Sequence, residues 1–281
     1  MQKSASHYWY VLILVGTTLV WGTTFALLKG ALTTLSPAVL ICSRFSVGAL
    51  TLLPWCRHFN ARLLRDGAIL GVMIYLSVVT QVIGLQTISS NRSAFITSLN
   101  VIMVPLLGFL LGRSLSQRVW ISAGLALAGI GILSWEGGAL GIGDLWVFGC
   151  ALSFAVYVLL MEAIAPHHPP LALTIYQLMT TSLLGFIWAL PELMEQAQAI
   201  QQNWGAIVYL GIMATAMTTW TQAIAQRHVS ATETAIVYAL EPVFATIFSF
   251  WWLGESLGTR GLLGGAMVLV ATVLSQIKTQ R

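Results

Sequence analysis

Charged residues are scarce in this chain of 281 residues: Asp, Glu, Lys and Arg together make up 8% of it, whereas hydrophobic residues make up 57%. Ordinary soluble domains carry about 25% charged residues. Too few polar side chains remain to cover the surface of a water-soluble fold. The mean hydropathy of +0.84 agrees, and we expect the chain to lie in a lipid bilayer.

Motifs for catalysis and nucleotide binding are also missing. The sequence contains no Gly-x-x-x-x-Gly-Lys-Ser/Thr loop and no His-Glu-x-x-His, which argues against a nucleotide-driven pump and a zinc protease. The three cysteines, Cys42, Cys56 and Cys150, lack the spacing of a metal site or a disulfide framework. We therefore predict a protein that is not an enzyme and holds neither cofactor nor metal.

Long apolar runs fill the rest of the chain, and charged or turn-forming residues separate them. A membrane-spanning helix needs about 17 to 25 predominantly apolar residues. Ten runs are of this kind, and the first lacks a small-x-small cleavage site, so we interpret it as a span and not as a secretory signal. The predicted helices cover residues 8–28, 37–56, 67–87, 92–111, 118–135, 144–163, 171–190, 204–225, 231–253 and 260–277.

One eight-residue stretch occurs twice with a change of charge sign. Residues 111–118 read LGRSLSQR, and residues 253–260 read LGESLGTR. Five spans per half is an odd number, so the second half must enter the membrane from the opposite face, as in the inverted repeats of many transporters. We predict an all-α polytopic membrane protein with ten transmembrane helices, arranged as two inverted five-helix repeats at residues 1–137 and 138–281 of one membrane domain.

Basic residues are distributed unequally between the two predicted sides of the membrane. If the N-terminus is cytoplasmic, only Lys29, Arg92 and Arg260 lie outside. Cytoplasmic loops collect Lys and Arg, so the excess indicates topology and not binding of nucleic acid. We expect a multi-pass protein of a bacterial-type inner (plasma) membrane with both termini in the cytoplasm. The residues on the inner side are Lys3, Arg57, Arg62, Arg65, Arg113, Arg118, Arg227, Lys278 and Arg281.

Polar residues inside the spans indicate where a solute would bind. An offset of 141 residues aligns three polar positions of the two halves on one helix face each. Glu241 lies near the middle of the ninth span, where a carboxylate costs about 2.5 to 3.5 kcal/mol, so it must face a cavity or a partner. It either contacts a substrate ammonium or a coupling proton, or forms an interhelical hydrogen bond beside a kink at Pro242. The aligned pairs are Ser93 with Thr234, Thr97 with Tyr238, and Asn100 with Glu241.

Arg44, in the second span, is also too costly to face lipid. It either holds a substrate carboxylate or pairs with helix carbonyls or a buried acid. Aromatic side chains in other spans would form a wall suited to neutral or aromatic solutes, with ordinary helix packing as the alternative for each. The full set of candidate substrate-binding residues is Arg44, Tyr75, Gln81, Thr97, Asn100, Tyr157, Trp220, Tyr238 and Glu241.

Residues 239–245, which read ALEPVFA, precede the LGESL stretch and a glycine-rich last span. This arrangement resembles the second repeat of the EamA-type drug/metabolite transporter superfamily. The pair Trp21-Gly22 and Arg44 add to the resemblance, which covers nearly the whole chain. It differs at Arg113, where the family's first repeat often has glutamate. The resemblance implies a polytopic carrier of small organic solutes, with many members exporting amino acids.

We therefore predict a secondary transporter that exports neutral or aromatic amino acids, or related metabolites, by alternating access through a central cavity. The alternative is an efflux carrier for multiple drugs or lipophilic cations. A channel would need rings of charge or a carbonyl filter, and the buried polar groups are too sparse for either. The expected partners are a small-molecule substrate and the lipid bilayer, without nucleic acid, and the protein would be a monomer or a homodimer.

Overall fold

The computed structural model describes residues 5–134, 139–253 and 258–276. Every regular element in these ranges is helical. The α-helices are α1 (Ala5–Gly22), α2 (Thr24–Ala31), α3 (Pro37–Leu52), α4 (Ala61–Leu85), α5 (Ser90–Thr97), α6 (Asn100–Leu110), α7 (Gln117–Ser134), α8 (Ile142–Ile164), α9 (Pro170–Ala189), α10 (Ala197–Gln202), α11 (Trp204–Gly211), α12 (Thr218–Ala225), α13 (Ala231–Tyr238), α14 (Glu241–Leu253) and α15 (Gly258–Gln276). A π-helical turn, Ile212–Met217, joins α11 to α12.

Within the described residues, nine helical segments are long and apolar enough to cross a bilayer, and Gln117–Ile132 is a shorter apolar helix. These ten segments match the ten predicted spans, so the all-helical polytopic fold is confirmed. The third span begins earlier than predicted because Asn60 caps it, with its Oδ1 accepting a hydrogen bond from the Leu63 backbone N–H at 2.7 Å. Glu255, which carries the sign change of the repeated stretch, lies outside the described residues.

One span in each half is broken at an equivalent position. In the first half (α1 to α7), α5 ends at Thr97 and α6 begins at Asn100. In the second half (α8 to α15), α13 ends at Tyr238 and α14 begins at Glu241, 141 residues later in each case. Pro242 accounts for the second break, since it donates no backbone hydrogen bond, but the first break contains no proline. The shared break is a structural signature of the inverted repeat.

Polar contacts join each broken span to the first helix of the other half. In α5, Arg92 donates from Nε and Nη2 to the Asp144 carboxylate at the start of α8, at 2.5 and 2.8 Å. The equivalent position in α13 is Glu233, whose carboxylate lies 3.9 Å from Nε2 of His7 in α1. Because the halves are inverted, these contacts lie at opposite ends of the bundle, and the second one is longer.

Glycines allow the two halves to approach closely where α4 crosses α9. A Cβ atom placed on Gly67 would lie 2.5 Å from the Tyr176 Cβ, and one on Gly71 would lie 2.5 Å from the Gln177 carbonyl oxygen. Both distances are too short for any side chain, so these glycines set the separation of the helices. The α4–α9 crossing therefore positions the cavity described below.

We predict that Gly71→Val lowers the melting temperature of the detergent-solubilised protein. The valine methyl groups would overlap the α9 backbone, and such overpacking costs about 1 to 3 kcal/mol. The matched control is Gly124→Val, because Gly124 is an exposed α7 residue with no atom of a neighbouring element within 4 Å of a built Cβ. Equal melting temperatures for the two variants would contradict the close α4–α9 contact.

Candidate substrate cavity

A cavity of about 90 Å³ lies between the two halves. This is room for several water molecules or one small solute. Helices α1 to α5 of the first half line it, together with α8, α12, α14 and the π-helical turn of the second half. Carrier sites typically lie at such an interface between repeats.

Arg44 enters this cavity from α3 and is held by the π-helical turn. Its Nε donates to Thr215 Oγ1 at 2.6 Å, and its Nη2 donates to the Ala214 carbonyl at 3.1 Å. The same carbonyl accepts a hydrogen bond from Trp21 Nε1 at 3.2 Å. No carboxylate in the described part of the chain forms an ion pair with the guanidinium, which is 8% exposed. Its orientation is therefore fixed, while its charge is left for another partner.

Glu241 is the only acidic residue on the cavity wall formed by the described residues. It is the first residue of α14, where the helix dipole favours a negative charge. No hydrogen bond or ion pair to its carboxylate is present within residues 5–134, 139–253 and 258–276. The cavity thus holds a guanidinium and a carboxylate that are not paired with each other.

Aromatic rings form one wall of the cavity. The ring centroids of Trp21 and Phe154 are 5.7 Å apart, and those of Phe154 and Tyr157 are 5.6 Å apart. Tyr238 packs behind them, with its centroid 4.9 Å from that of Trp21. Such a wall offers apolar surface and a negative ring face to a solute.

Five of the nine residues predicted from the sequence line the cavity, namely Arg44, Gln81, Thr97, Tyr157 and Glu241. The other four, Tyr75, Asn100, Trp220 and Tyr238, do not line it. Tyr238 and Asn100 are buried, whereas Trp220 is 36% exposed. Trp220 follows Thr219 by one residue and precedes Gln222 by two in α12. Because both of these residues line the cavity, Trp220 lies on a different face of the helix.

Three polar cavity residues on the eighth span were not predicted from the sequence: Thr215, Thr219 and Gln222. They are spaced by four and three residues and so share one face. Their signal in the sequence is the polar run TAMTTWTQ at residues 215–222, which is unusual within a membrane span. Residues on another face of the same span, including Trp220, also fit helical spacing, so spacing alone does not select the face that lines the cavity.

Two buried tyrosines differ in whether their hydroxyl groups are paired. Tyr157 donates to Gln177 Oε1 at 3.2 Å, whereas the Tyr238 hydroxyl has no hydrogen-bond partner in the described residues. We predict that Tyr157→Phe lowers the free energy of unfolding by about 1 to 3 kcal/mol, because it leaves the Gln177 oxygen unpaired. The melting temperature should fall accordingly. Tyr238→Phe should leave the melting temperature unchanged or raise it. A larger loss for Tyr238→Phe would contradict this assignment.

The chain resembles known transporters along its whole length. The model of the EamA-like transporter family matches residues 8–135 and 141–276. An uncharacterized transporter of Archaeoglobus fulgidus is 27% identical over 264 residues, which cover 92% of this chain and 83% of the relative. An uncharacterized transporter of Bacillus subtilis is 24% identical, with coverage of 93% and 89%.

A solved structure titled "Crystal structure of protein" superimposes with a TM-score of 0.78 at 18% identity and covers 95% of each chain, so it shares the fold. The family model covers both halves, and the ten spans and the inverted repeat agree with it. The chain therefore belongs to the EamA-like transporter family, whose members are membrane transporters of small solutes and not enzymes.

Proposed function

We propose that the protein exports neutral or aromatic amino acids, or metabolites with the same zwitterionic group, by alternating access. In this proposal, the cavity between the two halves is the substrate site. A rocking motion of one half against the other exposes it to each side of the membrane in turn.

The main support for this proposal is that Arg44 and Glu241 line the same cavity and do not form an ion pair with each other. Arg44 has five N–H donors, and its two hydrogen bonds leave donors for a carboxylate. Glu241 can accept from an ammonium group. A zwitterion supplies both partners in one molecule, which offsets the cost of burying two separated charges.

The aromatic wall supports the choice of neutral or aromatic side chains. Trp21, Phe154 and Tyr157 give apolar contact to such a side chain, and no further charged residue in the described ranges lines the cavity to pair with a charged one. A substrate with an additional charge would have to leave that charge unpaired in a site of low polarity.

The polar contacts at opposite ends of the bundle fit a rocking motion. Opening one end requires separation of Arg92 from Asp144, and opening the other requires separation of His7 from Glu233. We further propose that both termini are cytoplasmic and that the protein lies in an inner (plasma) membrane. The charge asymmetry of the loops supports this, since Arg62 and Arg65 at the start of α4 are largely exposed on the proposed inner side.

Efflux of lipophilic cations is the second candidate function. The same aromatic wall, together with Glu241, would attract an organic cation. This candidate leaves Arg44 without a role in binding and places a like charge in the same cavity, so we favour the zwitterion.

The test is transport by purified protein in proteoliposomes loaded with labelled phenylalanine, with phenethylamine as the matched substrate that lacks the carboxylate. We predict that the wild type transports phenylalanine and that Arg44→Gln reduces this transport at least about tenfold, because a buried charged hydrogen bond is lost. Phenethylamine transport should be reduced much less. The reason is that Arg44 has no partner in that molecule.

Glu241→Gln should reduce transport of both compounds, because both carry the ammonium group. Arg62→Gln is the control, since Arg62 is exposed and does not line the cavity. A wild-type protein that moves a lipophilic cation but no amino acid would contradict the proposal and favour the second candidate. Equal effects of Arg44→Gln on phenylalanine and phenethylamine would contradict the assigned role of Arg44.

A further inference from the structure

We propose that Gln222 is a hydrogen-bond acceptor of fixed orientation that selects substrates with a primary ammonium group over their N-methylated counterparts. The inference rests on the proposed function, because it concerns the ammonium end of the same site. It identifies a residue that determines specificity and that the charge pattern of the sequence does not indicate.

Gln222 belongs to a series of three hydrogen-bonded groups. Its Nε2 donates to Oε1 of Gln226 at 2.7 Å, and Nε2 of Gln226 donates to the Val158 carbonyl of α8 at 3.0 Å. Both glutamines are 1% exposed. Gln222 lines the cavity, whereas Gln226 and Val158 do not.

The Val158 carbonyl, the last group of the series, determines how the two glutamine amides are oriented. A backbone carbonyl only accepts hydrogen bonds, so Gln226 must turn its NH₂ group towards Val158. The oxygen of Gln226 then faces Gln222, which must in turn present its own NH₂ group. Reversing either amide would bring two acceptors or two donors together. The hydrogen-bond network therefore assigns both amide orientations.

This orientation leaves the Gln222 oxygen as the free edge of the amide. Oε1 makes no hydrogen bond with the described residues. Gln222 lines the cavity, and this oxygen is the amide atom left to face it. The hydrogen bonds through Gln226 to Val158 thus make Gln222 present an acceptor, and not a donor, to a bound solute.

Donors and acceptors lie at different places along this span. Thr215, which holds the Arg44 guanidinium, lies seven residues before Gln222, which is about 10 Å at 1.5 Å per residue. The Arg44 end therefore offers donors for a carboxylate. The Gln222 oxygen and the Glu241 carboxylate offer acceptors on the remaining wall.

A primary ammonium group has three N–H donors, enough for both Glu241 and Gln222. A trimethylammonium group keeps the positive charge but has no N–H, so it can satisfy Glu241 electrostatically while leaving the Gln222 oxygen unpaired. A site built to hydrogen-bond a substrate N–H discriminates strongly against an analogue that lacks it. Gln222 thus separates amino acids from quaternary ammonium compounds, which charge alone does not.

The experiment compares uptake of phenylalanine with uptake of its N,N,N-trimethyl derivative into proteoliposomes that contain the full-length protein. We expect the wild type to prefer phenylalanine at least about tenfold in kcat/KM. In Gln222→Leu, the ratio should fall to near one. If the larger size of the trimethyl derivative alone caused the preference, Gln222→Leu would not remove it. The change in the ratio of the two kcat/KM values is therefore the readout.

Gln226→Leu is the second variant, and it leaves the cavity lining itself unchanged. Gln226 is a positioning residue, so its loss should free the Gln222 amide to rotate and lower the ratio by several-fold. Gln276→Leu is the control, because Gln276 is buried but does not line the cavity, and its ratio should equal that of the wild type. If Gln222→Leu is not recovered as folded protein, the ratio measured for Gln226→Leu decides the test.

An unchanged ratio in Gln222→Leu and Gln226→Leu, with phenylalanine transport by the wild type, would overturn this inference alone. Absence of phenylalanine transport by the wild type would overturn the proposed function and this inference with it. A lowered ratio in the two variants but not in Gln276→Leu would support it.

Discussion

The hydrocarbon core of a bilayer offers no water to a polar group, so every charge within it must be enclosed by protein. Arg44 and Glu241 are enclosed in one cavity, on opposite halves of the chain. Arg44 is held by hydrogen bonds to the π-helical turn, and Glu241 lies at the break of a span. The cavity follows from this constraint, because neither group finds its counter-ion in the surrounding described helices.

Inversion of the two halves explains why equivalent positions carry different charges. Arg92 and Glu233 occupy equivalent places in the broken spans, and each contacts the first helix of the other half. The same reasoning applies to Asn100 and Glu241, which begin the second segments of these spans. A duplicated structure can therefore keep its backbone symmetry while its polar chemistry diverges.

Composition and periodicity predict the ten spans, because each must be long and apolar regardless of its neighbours. They also identify Arg44 and Glu241, since a charge at membrane depth is conspicuous in a sequence. They do not place Trp220, because helical spacing allows more than one face of its span to line the cavity. The orientation of the Gln222 amide also cannot be predicted from the sequence. It is set through Gln226 by Val158, a residue 64 positions before Gln222 that only the tertiary structure brings close.

We propose that this cavity is the transport site, and Cys150 on its wall allows a direct test. The chain has three cysteines, of which only Cys150 lines the cavity. In a Cys42→Ala, Cys56→Ala variant in sealed vesicles, Cys150 is the single target for a small charged thiol reagent applied from either face. We expect the reagent to label Cys150 from both faces and bound phenylalanine to slow this labelling. Labelling that phenylalanine leaves unchanged would contradict this proposal.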